Sequence, residues 1–453
     1  MINTSTGSKL VRLLKEHTVL VIADIVAVYL SLSGWNYYDV KYFIAWHDEY
    51  FVNGRILDVY SSNLKVAYPP LAVLTFVLFH HLATTISPSS IIVWRLVDKL
   101  PLLVSFNAVY FLLRRKYGKL ASYLWLLNLV AYSTINAYQF DLLVALFILL
   151  AMISIEKRHY QLYGFFSTLA TLIKQSVALI AVLPVVELLS KRSYGELAKY
   201  MLVVFATGVV FIAPFLTVAP YCFFEKVLLF HAKRPPQQLS VWAIPAYMVN
   251  YDLSKLPSWI GEAWVIALAL FVVWVLYSFS TEISTEKSGD LGLVYAKFNT
   301  ILLSGFLVLS KVSNINYFIW LSIPLIVFIA KTREYRFTRK LVELYLFASL
   351  AITTLFGILS TFVQVVAGYP IFVFEDWKWI PTDEFFVKGY AYEPFDTIYL
   401  AALYMRSVPA LREPCKSLAS THNYFLALLC AIYACVLCYT VKIALKTSTK
   451  KIP

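Results

Sequence analysis

Asp39 stands where the first long apolar run gives way to a polar segment, within Tyr37-Tyr38-Asp39-Val40-Lys41-Tyr42-Phe43. A carboxylate at such a boundary faces both a lipid-borne molecule and water, which makes it a candidate general base. The competing reading is a solvated aspartate that merely ends the run. Far along the chain, His231-Ala232-Lys233-Arg234-Pro235-Pro236-Gln237-Gln238 is a basic loop stiffened by two prolines. The Arg234 guanidinium offers a planar fork suited to a phosphate, whether on a substrate or on a lipid headgroup. Lys174 and Lys311 lie at or between apolar runs, where a lysine either meets an anion or snorkels to the interface. In Tyr68-Pro69-Pro70-Leu71 the tandem prolines give a rigid start to a helix and hence a wall for a cavity. Asp141 opens an apolar run and reads as a helix N-terminal, orienting residue rather than a second base.

These residues need a scaffold, and composition says which kind. Of 453 residues 60% are hydrophobic and 14% charged, against roughly 25% charged in soluble chains. The chain reads as an all-α polytopic membrane protein. A helix crossing the hydrocarbon core needs about 20 apolar residues. Twelve runs qualify or nearly so, beginning at Thr18, Ile91, Leu120, Phe140, Tyr160, Ser176, Met201, Trp259, Leu291, Tyr317, Leu341 and Tyr424. Residues 160–189 exceed one span and are split by Lys174-Gln175, giving two short helices that meet near one membrane surface. Residues 68–82 are too few to cross and read as a half-helix on one face, ending in His80-His81, which are taken as interfacial residues without a metal partner.

The excess of 39 Lys+Arg over 26 Asp+Glu, a net +13, falls in short clusters between runs, so it reads as topology rather than nucleic-acid binding. With a cytoplasmic N-terminus the basic loops alternate along the chain, and both termini lie inside. Residues 36–66, 220–258, 310–316 and 369–423 then lie on the extracytoplasmic side, where the active site is expected. A first region, 1–335, carries the catalysis, and 336–453 adds further spans with the outer loop 369–423, which is rich in acidic and aromatic residues including Glu375, Asp376, Trp377, Asp383 and Glu384. Asp98 and Lys99, beside Arg95, read as an ion pair in the interface, and Trp46 and Trp94 as members of an aromatic belt. The five cysteines form no disulfide framework. No cleavable signal peptide is evident before the first run, which reads as an uncleaved anchor.

Several segments together resemble a known family. An acidic residue after the first span, Gly54, Tyr68-Pro69-Pro70-Leu71 and a dozen spans look like a glycosyltransferase of the multi-span GT-C fold. Within that class the chain resembles the catalytic subunit of GPI mannosyltransferase I and its prokaryotic, archaeal relatives. Trp125-Leu126-Leu127-Asn128 followed by Asp141, Leu172-Ile173-Lys174 followed by Pro184, and Lys311-Val312-Ser313-Asn314-Ile315-Asn316-Tyr317-Phe318-Ile319-Trp320 with Pro324 carry the likeness. It implies a GT-C-like bundle of about 12 transmembrane helices. It further implies inverting transfer of a sugar, mannose by the likeness, from a dolichyl- or polyprenyl-phosphate carrier to a lipid or glycan acceptor hydroxyl. Asp39 would be the base, and Arg234, Lys311, His231, Gln237, Lys174, Tyr68 and Asp141 would hold the donor phosphate and substrate.

One departure stands out. The family's Asp-x-Asp motif becomes Tyr37-Tyr38-Asp39, so the catalytic role carries to Asp39 alone. A divalent cation, Mg²⁺ or Mn²⁺, would need Asp48 or Glu49 to fold back beside it. A small membrane subunit is a possible partner. The compartment would be the plasma membrane of a prokaryote or the endoplasmic reticulum of a eukaryote. A secondary transporter and a non-catalytic membrane subunit are the alternatives. The transporter reading lacks a repeat and a mid-span carboxylate, whereas the missing first aspartate keeps the non-catalytic subunit open.

Overall fold

The structure, a computed structural model, describes residues 17–35, 37–285, 290–373, 378–381 and 397–447. The N-terminal basic cluster and the outer-loop residues Glu375, Asp376, Trp377, Asp383 and Glu384 lie outside them. The described chain is a helical bundle, and all twelve apolar runs fall on helix. Among the described residues six helices are long and apolar enough to cross a membrane: Ile91–Tyr117, Tyr194–Leu216, Ile260–Ser284, Leu291–Leu309, Thr338–Ala367 and His422–Lys446. Shorter apolar helices include Thr18–Ser33, Pro70–Ile86, Gln175–Ser190 and Ile315–Lys331.

Lipid rather than water is the solvent this surface suits. Tyr194–Leu216 exposes Met201, Leu202, Phe205, Val209 and Val210, and the following long helix exposes Val265, Ile266, Leu270, Val273 and Tyr277. These positions recur at three- and four-residue spacing, so each forms one apolar stripe turned outward. Leu291–Leu309 is the reverse case: it is buried along nearly its whole length and forms the bundle's centre.

Breaks in helices are sealed by side chains, as a dry interior requires. Between Lys119–Leu126 and Leu129–Ala137 the chain kinks at Asn128. The Asn128 carboxamide accepts from the Val130 amide (3.2 Å) and from Ser349 Oγ (3.0 Å), and donates to Ser322 Oγ (2.8 Å). Gly34 ends the first helix, whose last carbonyls have no partner in the helix itself. Lys99 supplies one: its ammonium donates to Ser31 O (3.0 Å), to Gly34 O and to Asn136 O (2.9 Å), while Arg95 donates to Leu32 O (3.0 Å). Asp98, beside Lys99 in sequence, takes His80 as a hydrogen-bonded partner (3.0 Å).

That bond also fixes the helix Pro70–Ile86. Its His80 lies beside Asp98, one residue from the Lys99 that caps the end of Thr18–Ser33. Tyr110, further along Ile91–Tyr117, bonds His17 at the opposite end of that first helix (3.0 Å). Trp46 is wholly buried and donates to Lys65 O (3.1 Å). It therefore belongs to the core of the 36–66 segment and not to an interfacial belt. Cys430 is buried, whereas Cys435 and Cys438 are exposed on the outer side of the same helix.

Candidate active site

The residues between the first helix and Pro70 fold over the bundle end. Asp39 sits in the first turn of Tyr37–Ala45. Tyr60 donates to Tyr68 O (2.8 Å), holding the segment before the tandem prolines, and the Leu71 amide donates to Leu172 O (3.1 Å). This brings Tyr68 next to Lys174, where the chain turns between Tyr160–Thr171 and the next helical stretch. The Lys174 ammonium lies 4.5 Å from the centre of the Tyr68 ring and 5.7 Å from that of Tyr317.

The third wall comes from the basic loop. Gln237–Gln238 pairs in parallel with Val312–Ser313, and the flanking bonds Gln237 N to Lys311 O (2.9 Å) and Leu239 N to Ser313 O (3.0 Å) extend the register. Gln238 adopts φ +53°, a left-handed conformation costly for a side chain with a Cβ. It is held there from three sides. Its carbonyl accepts from Tyr247 Oη (2.6 Å) and Cys430 Sγ (3.1 Å), and its Oε1 accepts from the Ile315 amide (2.9 Å).

These walls enclose a cavity of about 190 Å³. Asp39, Tyr68, Lys174, His231 and Arg234 line it, so five of the residues singled out in the sequence converge. Lys65, Gln139, Gln238 and Asn316 line it as well. Three cations, Lys65, Lys174 and Arg234, thus face one carboxylate, an excess of positive charge that suits a phosphate. Gln139 donates to Asp39 Oδ2 (2.8 Å) and accepts from Tyr68 Oη (3.2 Å). Burial, with the Asp39 charge adding to it, pushes the Tyr68 hydroxyl well above its ordinary range, so it stays a donor. His231 bonds Ala67 O (3.2 Å), and burial together with the Arg234 charge pulls its pKa down to about 3. Its imidazole is neutral at physiological pH.

Three expected site residues lie elsewhere. The Lys311 ammonium donates to Ala232 O (2.5 Å) and Gly261 O (3.3 Å) and lies over the Trp264 ring (5.5 Å). It ties the segment of Ala232 to that of Gly261 instead of lining the cavity, and burial lowers its pKa. Gln237 is fully buried, accepts from Arg234 and donates to Pro235 O (3.3 Å), so it braces the arginine while its neighbour Gln238 faces the cavity. Asp141, completely buried, stands one layer behind. It opens Asp141–Glu156, accepts from Asn316 (2.5 Å) and Trp320 (2.7 Å), and lies 3.9 Å from Lys174. Its carboxylate thus ties Asn316 and Trp320 to the start of Asp141–Glu156.

The donor set fits a hard divalent cation poorly. Such ions take several oxygen ligands, yet Asp39 is the one carboxylate among the described cavity residues, set among three cations. Neither Asp48 nor Glu49 lines the cavity, and Asp48 is bonded to His47 (2.7 Å). The expected help from these two acidic residues is therefore absent.

Lys65, Gln139 and Asn316 were not marked as site residues in the sequence. Gln139 had one signal, a polar side chain in the short break between two apolar runs, two residues before Asp141.

The sequence profile of Glycosyltransferase family 87 matches residues 67–310, more than half of the chain. Tyr68, Gln139, Lys174, His231 and Arg234 fall inside the match, and Asp39 precedes it. Among solved structures, the crystal structure of ArnT from Cupriavidus metallidurans bound to undecaprenyl phosphate is similar, with a TM-score of 0.46, 15% identity, and coverage of 95% of this chain and 77% of that one. No curated protein matches the chain.

Proposed function

Since the chain belongs to glycosyltransferase family 87, we propose that it moves a sugar from a polyprenyl- or dolichyl-phosphate carrier to an acceptor hydroxyl, with inversion. The motif likeness supports mannose as the sugar and a lipid or glycan as the acceptor. The alternation of basic loops supports the extracytoplasmic face as the working side, outside a prokaryotic plasma membrane or within the lumen of a eukaryotic reticulum.

The observation that carries the reading is the meeting of Asp39 with Lys65, Lys174 and Arg234 in one cavity. The acceptor oxygen attacks the anomeric carbon as its proton passes to Asp39. The bond from that carbon to the phosphate oxygen breaks, and its electron pair leaves with the phosphate. Charge grows on that leaving group, where preorganised cations stabilise it best. Gln139 donates to Oδ2 of Asp39 and so sets the direction in which the carboxylate faces the cavity. No step is routed through a metal ion, since the donor set does not suit one.

The test is Asp39→Asn in membranes supplied with labelled polyprenyl-phosphate mannose and with the corresponding glucose carrier. Transfer falls by at least about 10²-fold if Asp39 is the base. Transfer at the native rate overturns the assignment, and transfer from the glucose carrier alone overturns mannose while leaving the reaction class intact. Arg234→Gln raises the donor concentration needed for half-maximal rate.

A further inference from the structure

We propose that the outer layer holds a second site, separate from the cavity: a zinc-class divalent metal bound by His47, Asp48 and His80, with Asp98 behind them. None of these residues lines the cavity that holds Asp39. They come from three segments, the π-helical turn Trp46–Phe51 that follows Tyr37–Ala45, the helix Pro70–Ile86 and the helix Ile91–Asp98.

Candidate ligand atoms of His47, Asp48 and His80 all lie within 4.8 Å of one another. The His47 and His80 rings stand edge to face, 4.9 Å between centres. His47 Nε2 is 3.3 Å from His81 Nδ1. This contact and the 2.7 Å contact of His47 Nδ1 with Asp48 Oδ1 fix the His47 ring from both sides.

The supporting shell is also built. His80 Nδ1 meets both oxygens of Asp98, at 3.0 and 3.2 Å, and both residues are buried. An ionised Asp98 accepts, so Nδ1 carries the proton and Nε2 presents its lone pair. A carboxylate behind a ligating histidine fixes the tautomer and ring direction in this way at zinc sites. Two imidazoles with one carboxylate favour zinc or its transition-metal neighbours over magnesium or calcium. Asp48 is exposed, with 59% of its side chain accessible, which gives the ion a route from solvent. The bound ion would staple the 46–51 segment to two helices and so hold the outer layer in place.

The experiment uses the full chain, free of any affinity tag, purified in detergent, stripped with chelator and titrated with Zn²⁺ alone or Co²⁺ alone. One equivalent of Zn²⁺ binds per chain and raises the unfolding midpoint, and Co²⁺ gives the visible absorption of a tetrahedral site. Asp98→Asn weakens binding by ~10–100-fold, the usual effect of losing a supporting carboxylate. His80→Gln abolishes the cobalt spectrum. Because the buried pair also packs the outer layer, Asp48→Asn provides the control that keeps the fold, and it weakens binding at least ~10-fold. Zinc that binds Asp48→Asn and His80→Gln as tightly as the native chain overturns the site, as does no binding at all to the stripped native protein.

Discussion

The carboxamide of Gln139 donates to Asp39 Oδ2 across 2.8 Å, joining two residues a hundred positions apart. Tyr138, at φ +56°, makes the turn that aims it, and the Gln139 amide is anchored on Thr134 O (3.0 Å). The proposed base is therefore held from the short break between Leu129–Ala137 and Asp141–Glu156, and Tyr68 in turn fixes which way the carboxamide points.

Gln139→Leu should lower the turnover number by about 10–100-fold, part of the roughly 10²–10⁴-fold that a positioned base supplies. The donor KM should change little, because the cations remain. Steady-state rates over a range of donor concentrations separate the two parameters. Tyr68→Phe should show the same pattern with a smaller loss.

Asp141→Leu should destabilise the protein by roughly 3–5 kcal/mol, as expected when a buried ion pair loses one partner. Lys174 would keep its charge without the carboxylate at 3.9 Å, and Asn316 and Trp320 would each lose an acceptor. Unfolding of the detergent-solubilised variant followed by intrinsic fluorescence reads this directly.

Lys311→Gln and Arg234→Gln should part company. The first removes a tie between the segments of Ala232 and Gly261, so its thermal midpoint should fall while donor KM stays at the native value. The second should raise donor KM with a smaller thermal effect. A raised donor KM in Lys311→Gln would return that residue to the phosphate site.

His231 gives a pH prediction with a definite sign. Its folded pKa, about 3, lies below the ordinary value of 6.5. Between those values the unfolded chain binds a proton that the folded chain does not, so stability falls as pH drops from 6.5. Thermal midpoints measured from pH 7.5 to 4.5 should decline in the native protein and less steeply in His231→Gln. The activity profile near pH 6.5 should show no limb due to this histidine.

Depth in the membrane was legible from hydropathy, and direction around each helix was not. The apolar runs marked every long helix, and the boundary position of Asp39 marked its place at the cavity. Lys311 misled because its backbone lies just past the end of Leu291–Leu309, near the cavity, while its ammonium turns toward Ala232 O and Gly261 O. His80 looked unpartnered because His47 and Asp98 lie 33 residues before and 18 after it, on other segments. Gln139 was overlooked since a neutral amide between two aromatic residues carries no charge pattern to notice. Gln237 and Gln238 are adjacent in sequence, yet the backbone conformation at Gln238 puts one behind the arginine and the other in the cavity.

The buried central helix Leu291–Leu309 has a consequence for biosynthesis. Lys297 lies within it, bonded to Glu282 (2.7 Å) on the preceding helix and to the carbonyl of Thr447 (2.9 Å) at the far end of His422–Lys446. During synthesis this lysine enters the membrane well before its second partner exists. A ribosome must add some 150 residues before Thr447 arrives. Until then Lys297 has its carboxylate, Glu282, but lacks the carbonyl of Thr447, and the face of the central helix that His422–Lys446 covers waits unsealed.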